Sequence, residues 1–162
     1  QVINRYIEAA RTHLTSHQTT DAGHEVVRLL SVRSVTADLI PRESFAADEM
    51  IGIQMEYEVL QPGHVLWLGY NLYNQEGVNI FDTHSVNTKE YTEAHATGKF
   101  LAIAWIPGNL LNTGMFFTGR AIFNHLRQVI HVHEKDVCLF HVYDVFEKSL
   151  VVVDRDGSVE VC

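Results

Sequence analysis

The sequence contains few basic residues and only two cysteines, so it lacks the usual features of nucleic-acid-binding proteins and of folds that disulfides stabilise. It has 12 lysines and arginines against 20 aspartates and glutamates, for a formal net charge of −8. Nucleic-acid affinity depends on clustered basic residues, so DNA, RNA and acidic membrane surfaces are not expected partners. The only two cysteines, Cys138 and Cys162, cannot form a disulfide framework, which indicates a reducing compartment.

Long apolar runs and an export signal are also missing. No stretch approaches the roughly 20 apolar residues of a membrane helix. The first ten residues lack the basic and apolar regions of a signal peptide. We therefore expect a soluble chain. Because it starts with Gln1 rather than methionine, we expect it to be a fragment of a longer protein, with any partner domain upstream.

Motifs of catalysis are equally scarce. The chain contains no G-x-x-x-x-G-K-[ST] phosphate loop and no G-x-S-x-G nucleophile turn. Glu56 and Glu58 share a strand face and resemble the paired acids of a glycosidase, but exposed glutamates usually form only a solvated face. We expect no catalytic residue and no cofactor.

Ten histidines raise the question of a metal site. His131 and His133 would share one face of a strand, as metal ligands require. The cupin motif needs a glutamate several residues beyond the second histidine, whereas Glu134 follows His133 at once. We therefore expect no metal. A metal-dependent β-sandwich enzyme that uses these histidines and nearby carboxylates remains the alternative.

The hydrophobic period changes early in the chain. Ile3, Ile7, Ala10 and Leu14 recur at helical spacing, and a polar connector follows at residues 15–23. This predicts an N-terminal helix and linker over residues 1–22 and one domain over residues 23–162. A domain of that length with 46% hydrophobic residues can bury a single core.

Short alternating runs fill the rest of the chain, and they predict an all-β, immunoglobulin-like or jelly-roll β-sandwich. The runs cover about residues 25–38, 50–60, 64–73, 78–82, 99–106, 114–124, 129–133, 137–143, 150–153 and 158–161. Residues 74–77 predict a hairpin turn in which Gly77 supplies a positive φ. Residues 83–98 are polar and predict a loop.

One strand, residues 64–73, carries most of the candidate site. One face is formed by Leu66, Leu68, Tyr70 and Leu72. The alternating residues include Trp67, Asn71 and Tyr73 and predict a face of aromatic and amide groups. Sugars stack their C–H faces on aromatic rings and bond their hydroxyls to planar amides or guanidinium groups. The alternative is that Trp67 packs beneath a loop or at a subunit interface.

Two further residues complete the predicted site. Arg120 belongs to a row with Thr118 and Ile122, opposite a row with Phe117. His141 alternates with the apolar Phe140 and Val142. The expected carbohydrate-binding residues are therefore Trp67, Asn71, Tyr73, Arg120 and His141.

Three segments carry a resemblance to a known family. They are L-G-Y-N-L-Y-N-Q-E-G-V-N-I-F-D-T at residues 68–83, I-P-G-N-L-L-N-T-G-M-F-F at residues 106–117, and the late strand that contains F-H-V-Y-D at residues 140–144. Together they resemble the C-terminal domain of Wzt, the ATPase subunit of O-antigen ABC exporters, over residues 25–161. Phe116 departs from the pattern, since the family often has tyrosine there.

The resemblance implies a non-catalytic domain that binds the non-reducing end, often capped, of undecaprenyl-linked O-antigen polysaccharide. It also implies a homodimer that belongs to an ABC transporter and lies in the cytoplasm at the inner membrane. Contact with the membrane transporter subunit would run through an ATPase domain absent from this chain. The matching segments are turns and core strands, so the site residues above come from the chemistry of their side chains. A pure dimerisation module without a ligand is the third reading.

Overall fold

The computed structural model of this protein describes residues 25–85, 92–124, 130–144, 151–153 and 159–161. All regular structure in these residues is β-strand. The strands are β1 (Val27–Val35), β2 (Ser44–Ala46), β3 (Ile51–Val59), β4 (Leu66–Asn74), β5 (Asn79–His84), β6 (Gly98–Ile106), β7 (Gly114–Asn124), β8 (Ile130–Tyr143), β9 (Val151–Val153) and β10 (Val159–Val161). The predicted helix and linker at residues 1–22 lie outside the described residues.

Two sheets form a sandwich, which confirms the all-β prediction. One sheet has three antiparallel strands in the order β1-β3-β6. The other has five strands in the order β2-β8-β7-β4-β5, in which only β2 runs parallel to its neighbour. Strands β9 and β10 form a separate antiparallel pair.

The core lies between the two sheets and follows from strict alternation. On β3, the buried row is Ile51, Ile53, Met55, Tyr57 and Val59; on β4 it is Leu66, Leu68, Tyr70 and Leu72. Because successive side chains of a strand point to opposite faces, the other residues of β4 face outward. Cys138 is buried within β8.

Three features differ from the sequence-based expectation. Strand β2 was not foreseen, since three residues carry too little periodicity, yet its Phe45 is fully buried. The two strands expected at residues 129–133 and 137–143 correspond to the single strand β8, Ile130–Tyr143. The polar segment between them stays paired with β7 through a bulge, where the β7 partners Thr118 and Arg120 face Cys138 and Glu134.

The third difference concerns β7. Thr118 and Ile122 are buried at 2% and 0% exposure, whereas Phe117 on the opposite face is half-buried. The row that contains position 120 therefore faces the core. Packing between the two sheets thus determines which row of β7 is buried, although that row contains the polar Thr118.

The hairpin between β4 and β5 closes as predicted. Gly77 has a φ of 76° and donates its N–H to the carbonyl of Asn74 at 2.9 Å, while the Asn74 N–H bonds the carbonyl of Val78 at 3.0 Å. The Asn74 side chain also accepts from the N–H of Val78 at 2.8 Å. A bulge between Leu72 and Tyr73 then sets the register of the two strands.

No helix in the described part of the chain has the length and apolar character needed to cross a membrane.

We expect Gly108→Ala to destabilise the fold by about 1–3 kcal/mol. The turn after β6 packs on the turn after β2, where the Asn109 N–H donates to the Ala47 carbonyl at 2.6 Å, and a Cβ on Gly108 would overlap the carbonyl group of Asp48. Urea unfolding measures the loss. Leu110→Ala, on an exposed residue of the same loop, is the control and should cost within about 0.5 kcal/mol. Equal losses in the two variants would contradict this close approach.

Candidate functional site

The outer face of the five-stranded sheet presents the residues that alternate with the core row of each strand. We use the term outer face for the side chains of Trp67, Asn71, Tyr73, Asp82, Met115, Phe117, Leu139, His141 and Tyr143. All are partly or fully exposed. They stand on paired strands, so the backbone hydrogen-bond ladder holds their spacing before any ligand arrives.

A polar row crosses the outer face at the end nearest the β4–β5 hairpin. Asn71 on β4 pairs with Asp82 on β5, and Asn79 pairs with Tyr73 across the bulge. The amide nitrogens of Asn71 and Asn79 both donate to Oδ1 of Asp82, the second at 2.7 Å. We call Asn71, Asp82 and Asn79 the amide–carboxylate row.

The electrostatics of the row keep Asp82 charged. The hydrogen bond from Asn79 is the main cause that holds the pKa of Asp82 below its ordinary value of 3.8, with further lowering from Asn71 and from the charge of His84. Partial desolvation opposes these effects. Both amides donate to the same oxygen, Oδ1. The row therefore offers a carboxylate oxygen and two amide groups at neutral pH.

Aromatic and apolar side chains lie beside the row. Tyr73 shares the outer face with Asn71 and pairs with Phe117, which in turn pairs with Leu139. Beyond them, the rings of His141 and Tyr143 stack with centroids 6.3 Å apart. A ligand that bonds the amide–carboxylate row thus has apolar surface next to it, as the C–H face of a sugar requires.

The structure brings only some of the predicted site residues together. Asn71 and Tyr73 are neighbours on one face. His141 shares that face but lies two strands from β4, a distance of about 10 Å. Trp67 is half-buried on the same face, yet six residues separate it from Tyr73, which amounts to about 20 Å along the strand.

Arg120 occupies a different position. The register of β4 and β7 places it opposite Tyr70, whose side chain is buried in the core at 7% exposure. The backbone therefore puts position 120 on the core-facing row of β7, away from Trp67 and Asn71. Its side chain lies outside the described residues.

Two residues of the row, Asp82 and Asn79, were missed by the sequence-based reasoning. The signal was present in the predicted hairpin, because a turn at residues 74–77 followed by one bulge brings Asp82 opposite Asn71. Alternation within β4 alone could not reveal it. The partner strand β5 is mostly exposed and lacks a clear apolar row.

Within the described residues, no group of three or more histidine, cysteine, aspartate or glutamate side chains is arranged to hold a metal ion. The side chains of His131 and His133 lie outside that part of the chain. The metal-dependent alternative therefore remains a hypothesis that elemental analysis of the protein can test.

Comparison with solved structures shows the fold. The chain is similar to the C-terminal domain of Wzt, with a TM-score of 0.65 at 13% sequence identity, over 85% of this chain and 86% of that chain. A CARDB domain from Pyrococcus furiosus in complex with di-metal ions gives a TM-score of 0.41 at 12% identity, over 76% and 98% of the two chains. A β-glucuronidase from Bacteroides uniformis gives 0.34 at 12% identity, over 68% and 12%. No family model and no curated protein matches the sequence.

Proposed function

We propose that this chain is a non-catalytic carbohydrate-binding domain that recognises the capped non-reducing end of a lipid-linked O-antigen polysaccharide. The observation that carries the proposal is the amide–carboxylate row beside Tyr73 on the outer face. Planar amide and carboxylate groups bond sugar hydroxyls, and the adjacent ring accepts the C–H face. The Wzt-like fold and the sequence motifs at residues 68–83 and 106–117 support the same reading.

Charge favours a neutral glycan over an anionic one. Asp82 is ionised at neutral pH because its pKa is held low by Asn79 and Asn71, and the whole chain carries a formal charge of −8. A phosphate or carboxylate placed against Asp82 would meet repulsion. Neutral hydroxyls can instead donate to the carboxylate.

The chemistry of the row favours binding over glycoside hydrolysis. A glycosidase needs a general acid whose pKa is raised, together with a second carboxylate across the scissile bond. Asp82 has a lowered pKa because Asn79 and Asn71 stabilise its charged form. Glu56, one of the two acids considered from sequence, lies on the three-stranded sheet, where Ser31 Oγ donates to it at 3.3 Å.

The wider role is part of the proposal. The chain would act as one half of a homodimer in an ABC exporter, in the cytoplasm at the inner membrane, and would report a finished polysaccharide to an ATPase domain upstream. The resemblance to Wzt motivates these steps. The glycan site requires none of them, so binding can be measured on this chain alone.

Isothermal titration with capped and uncapped oligosaccharides of candidate O-antigens tests the proposal. We expect saturable binding of one capped series with modest affinity, because shallow and hydrated sugar sites bury little dry apolar surface. Hyaluronan, a polyanionic glycan, is the negative control. A glycan screen without any binder, together with a stable dimer by ultracentrifugation, would favour the dimerisation module instead. A stoichiometric transition metal in chelator-free protein would favour the enzyme.

A further inference from the structure

A tryptophan lies over a glycine on the solvent face of the three-stranded sheet. The register places Val35, Gly52 and Trp105 in one row across β1, β3 and β6, and this row faces away from the core residues Ile51 and Ile53. A Cβ on Gly52 would lie 2.7 Å from Cζ3 of Trp105 and 2.8 Å from Cγ2 of Val35. The indole therefore covers the backbone of β3 at the one position where no side chain stands in its way.

Covering the sheet leaves much of the indole accessible. Val35 is fully buried, although it does not belong to the core cluster between the sheets, so the indole packs on Val35 and Gly52. Trp105 itself remains 42% exposed. An aromatic ring that rests on the sheet and still faces solvent is a surface on which the C–H face of a sugar can stack.

The next two rows of the same face supply hydrogen-bonding groups. Arg33 pairs with Gln54, which lies about 7 Å along β3 from Gly52. With the Gln54 amide oriented so that its oxygen faces the guanidinium, Oε1 accepts from Nη2 of Arg33 at 2.6 Å and from Nε at 2.8 Å. This contact holds Arg33 in place, and further guanidinium donors remain for a ligand. One row further, Glu56 accepts from Ser31 Oγ at 3.3 Å.

We call Trp105, Arg33 and Glu56 the Trp105 platform. It presents an aromatic ring, a planar donor and a carboxylate acceptor in successive rows of one sheet face. Sugars offer C–H groups to the first and hydroxyls to the other two. An anionic ligand beside Arg33 would also meet the charge of Glu56, so the platform favours a neutral one.

The platform lies on the same side of the sandwich as the amide–carboxylate row. That row stands at the β5 edge of the five-stranded sheet, and Trp105 stands on β6, at the edge of the three-stranded sheet. Phe81 of β5 and Ala104 of β6 line one common cavity, so these two edges are neighbours. A chain of sugars can therefore pass around this side of the sandwich from one surface to the other.

We propose that the Trp105 platform is a second carbohydrate-binding surface, on which an internal, neutral sugar of the polymer stacks while the end of the polymer lies at the amide–carboxylate row. The inference rests on the proposed glycan-binding function and adds a contact to sugars behind the end. Trp105 stacks the sugar ring, Arg33 donates to a sugar oxygen, and Glu56 accepts from a hydroxyl. Long glycans then bind more tightly than short ones with the same end, because both surfaces are occupied at once.

Tryptophan fluorescence reports directly on the platform. The protein has two tryptophans, so Trp67→Phe leaves Trp105 as the single emitter. The probes are the neutral polymers dextran, α-mannan and galactan, their disaccharides, and the anionic polymer hyaluronan. We expect at least one neutral polymer to change the fluorescence saturably and at lower concentration than its disaccharide, and hyaluronan to leave it unchanged. An equal response to hyaluronan would overturn the proposed ligand class.

Variants of Trp105 in the chain that keeps Trp67 test the ring itself. For the polymer that gives a signal, we expect Trp105→Leu to raise the Kd about 3- to 10-fold, the value of one stacked pair. Trp105→Tyr keeps an aromatic ring and should stay within about twofold of the unaltered chain. Leu101→Ala, which removes another exposed apolar side chain from the same face of β6, is the control and should not change the Kd. The melting temperature of each variant shows whether it is folded.

The outcomes separate this inference from the proposed function. If capped oligosaccharides bind, but no polymer alters the fluorescence of Trp105 and Trp105→Leu leaves every Kd unchanged, the platform is overturned and recognition of the glycan end stands. If a neutral polymer binds through Trp105 but capped and uncapped ends bind alike, the platform is supported and cap recognition is overturned. If no glycan binds at either surface, both are overturned.

Discussion

Asp82→Ala is expected to weaken binding of the matching capped oligosaccharide by at least about tenfold, as for loss of one hydrogen bond to a charged group. The carboxylate is the shared acceptor of the Asn71 and Asn79 amides. Its removal deletes a partner for sugar hydroxyls and also frees both amides to rotate. Isothermal titration calorimetry of the variant against the unaltered chain measures the loss.

Asp38→Ala is the matched control for that experiment. Asp38 is an exposed acid in the loop between β1 and β2, so its removal changes the net charge by the same amount without touching the outer face. We expect its affinity to equal that of the unaltered chain. Equal affinities for all three proteins would remove the amide–carboxylate row from the binding site.

The pH profile provides a second readout of the same carboxylate. Hydrogen bonds from Asn79 and Asn71 hold the pKa of Asp82 below 3.8, so the charged form persists at every pH above that value. Affinity should therefore stay constant from pH 8 to about pH 5 and fall only when the pH drops below about 4. Asp82→Asn should bind more weakly and show a flatter profile in the acid range. A midpoint near neutral pH would assign the titration to another group.

Phe140→Ala is expected to destabilise the fold by about 3–5 kcal/mol, the usual cost of removing a buried aromatic side chain. Phe140 is fully buried. Its ring stacks on Phe116 with centroids 5.6 Å apart and meets the edge of Phe45 at 6.1 Å. The substitution leaves a cavity where β2, β7 and β8 converge. Chemical denaturation followed by tryptophan fluorescence gives the loss of unfolding free energy.

Leu139→Ala is the neighbouring control. Leu139 precedes Phe140 on β8 but lies half-exposed on the outer face, so the loss should be about 1 kcal/mol or less, in the lower range of single substitutions. A similar loss in both variants would mean that β8 does not bury the row that contains Phe140. The same variant also tests whether the apolar surface beside Tyr73 contributes to glycan binding.

The outer face is preorganised, because the paired strands hold the amide–carboxylate row in place and little ordering is needed on binding.

Most of the fold was predictable from local pattern. Alternation identified the buried row of β4, and the turn chemistry around Gly77 located the hairpin. The predicted site required the β7 row that contains Arg120 to face outward. The structure instead turns this row toward the core, where it buries Thr118, while Phe117 on the other face is half-buried. Strand β2 escaped prediction because its pairing with β8 joins residues about one hundred positions apart in the chain.

The residue types of the candidate site on β4 could be predicted from the sequence, but their distances and their partners on β5 could not. Trp67, Asn71 and Tyr73 were expected on one face and share it, yet their rise along β4 leaves only Asn71 and Tyr73 adjacent. Their partners Asp82 and Asn79 depend on a bulge, whose position alternation does not indicate.

The amino-acid sequence alone determined the strand class, the single core and the acidic net charge, because these follow from side-chain period and composition. Tertiary structure decided which amides donate to which carboxylate and which row of β7 faces the core. These properties depend on register and on the approach of distant strands, since a shift of one residue turns every side chain of a strand to the other face.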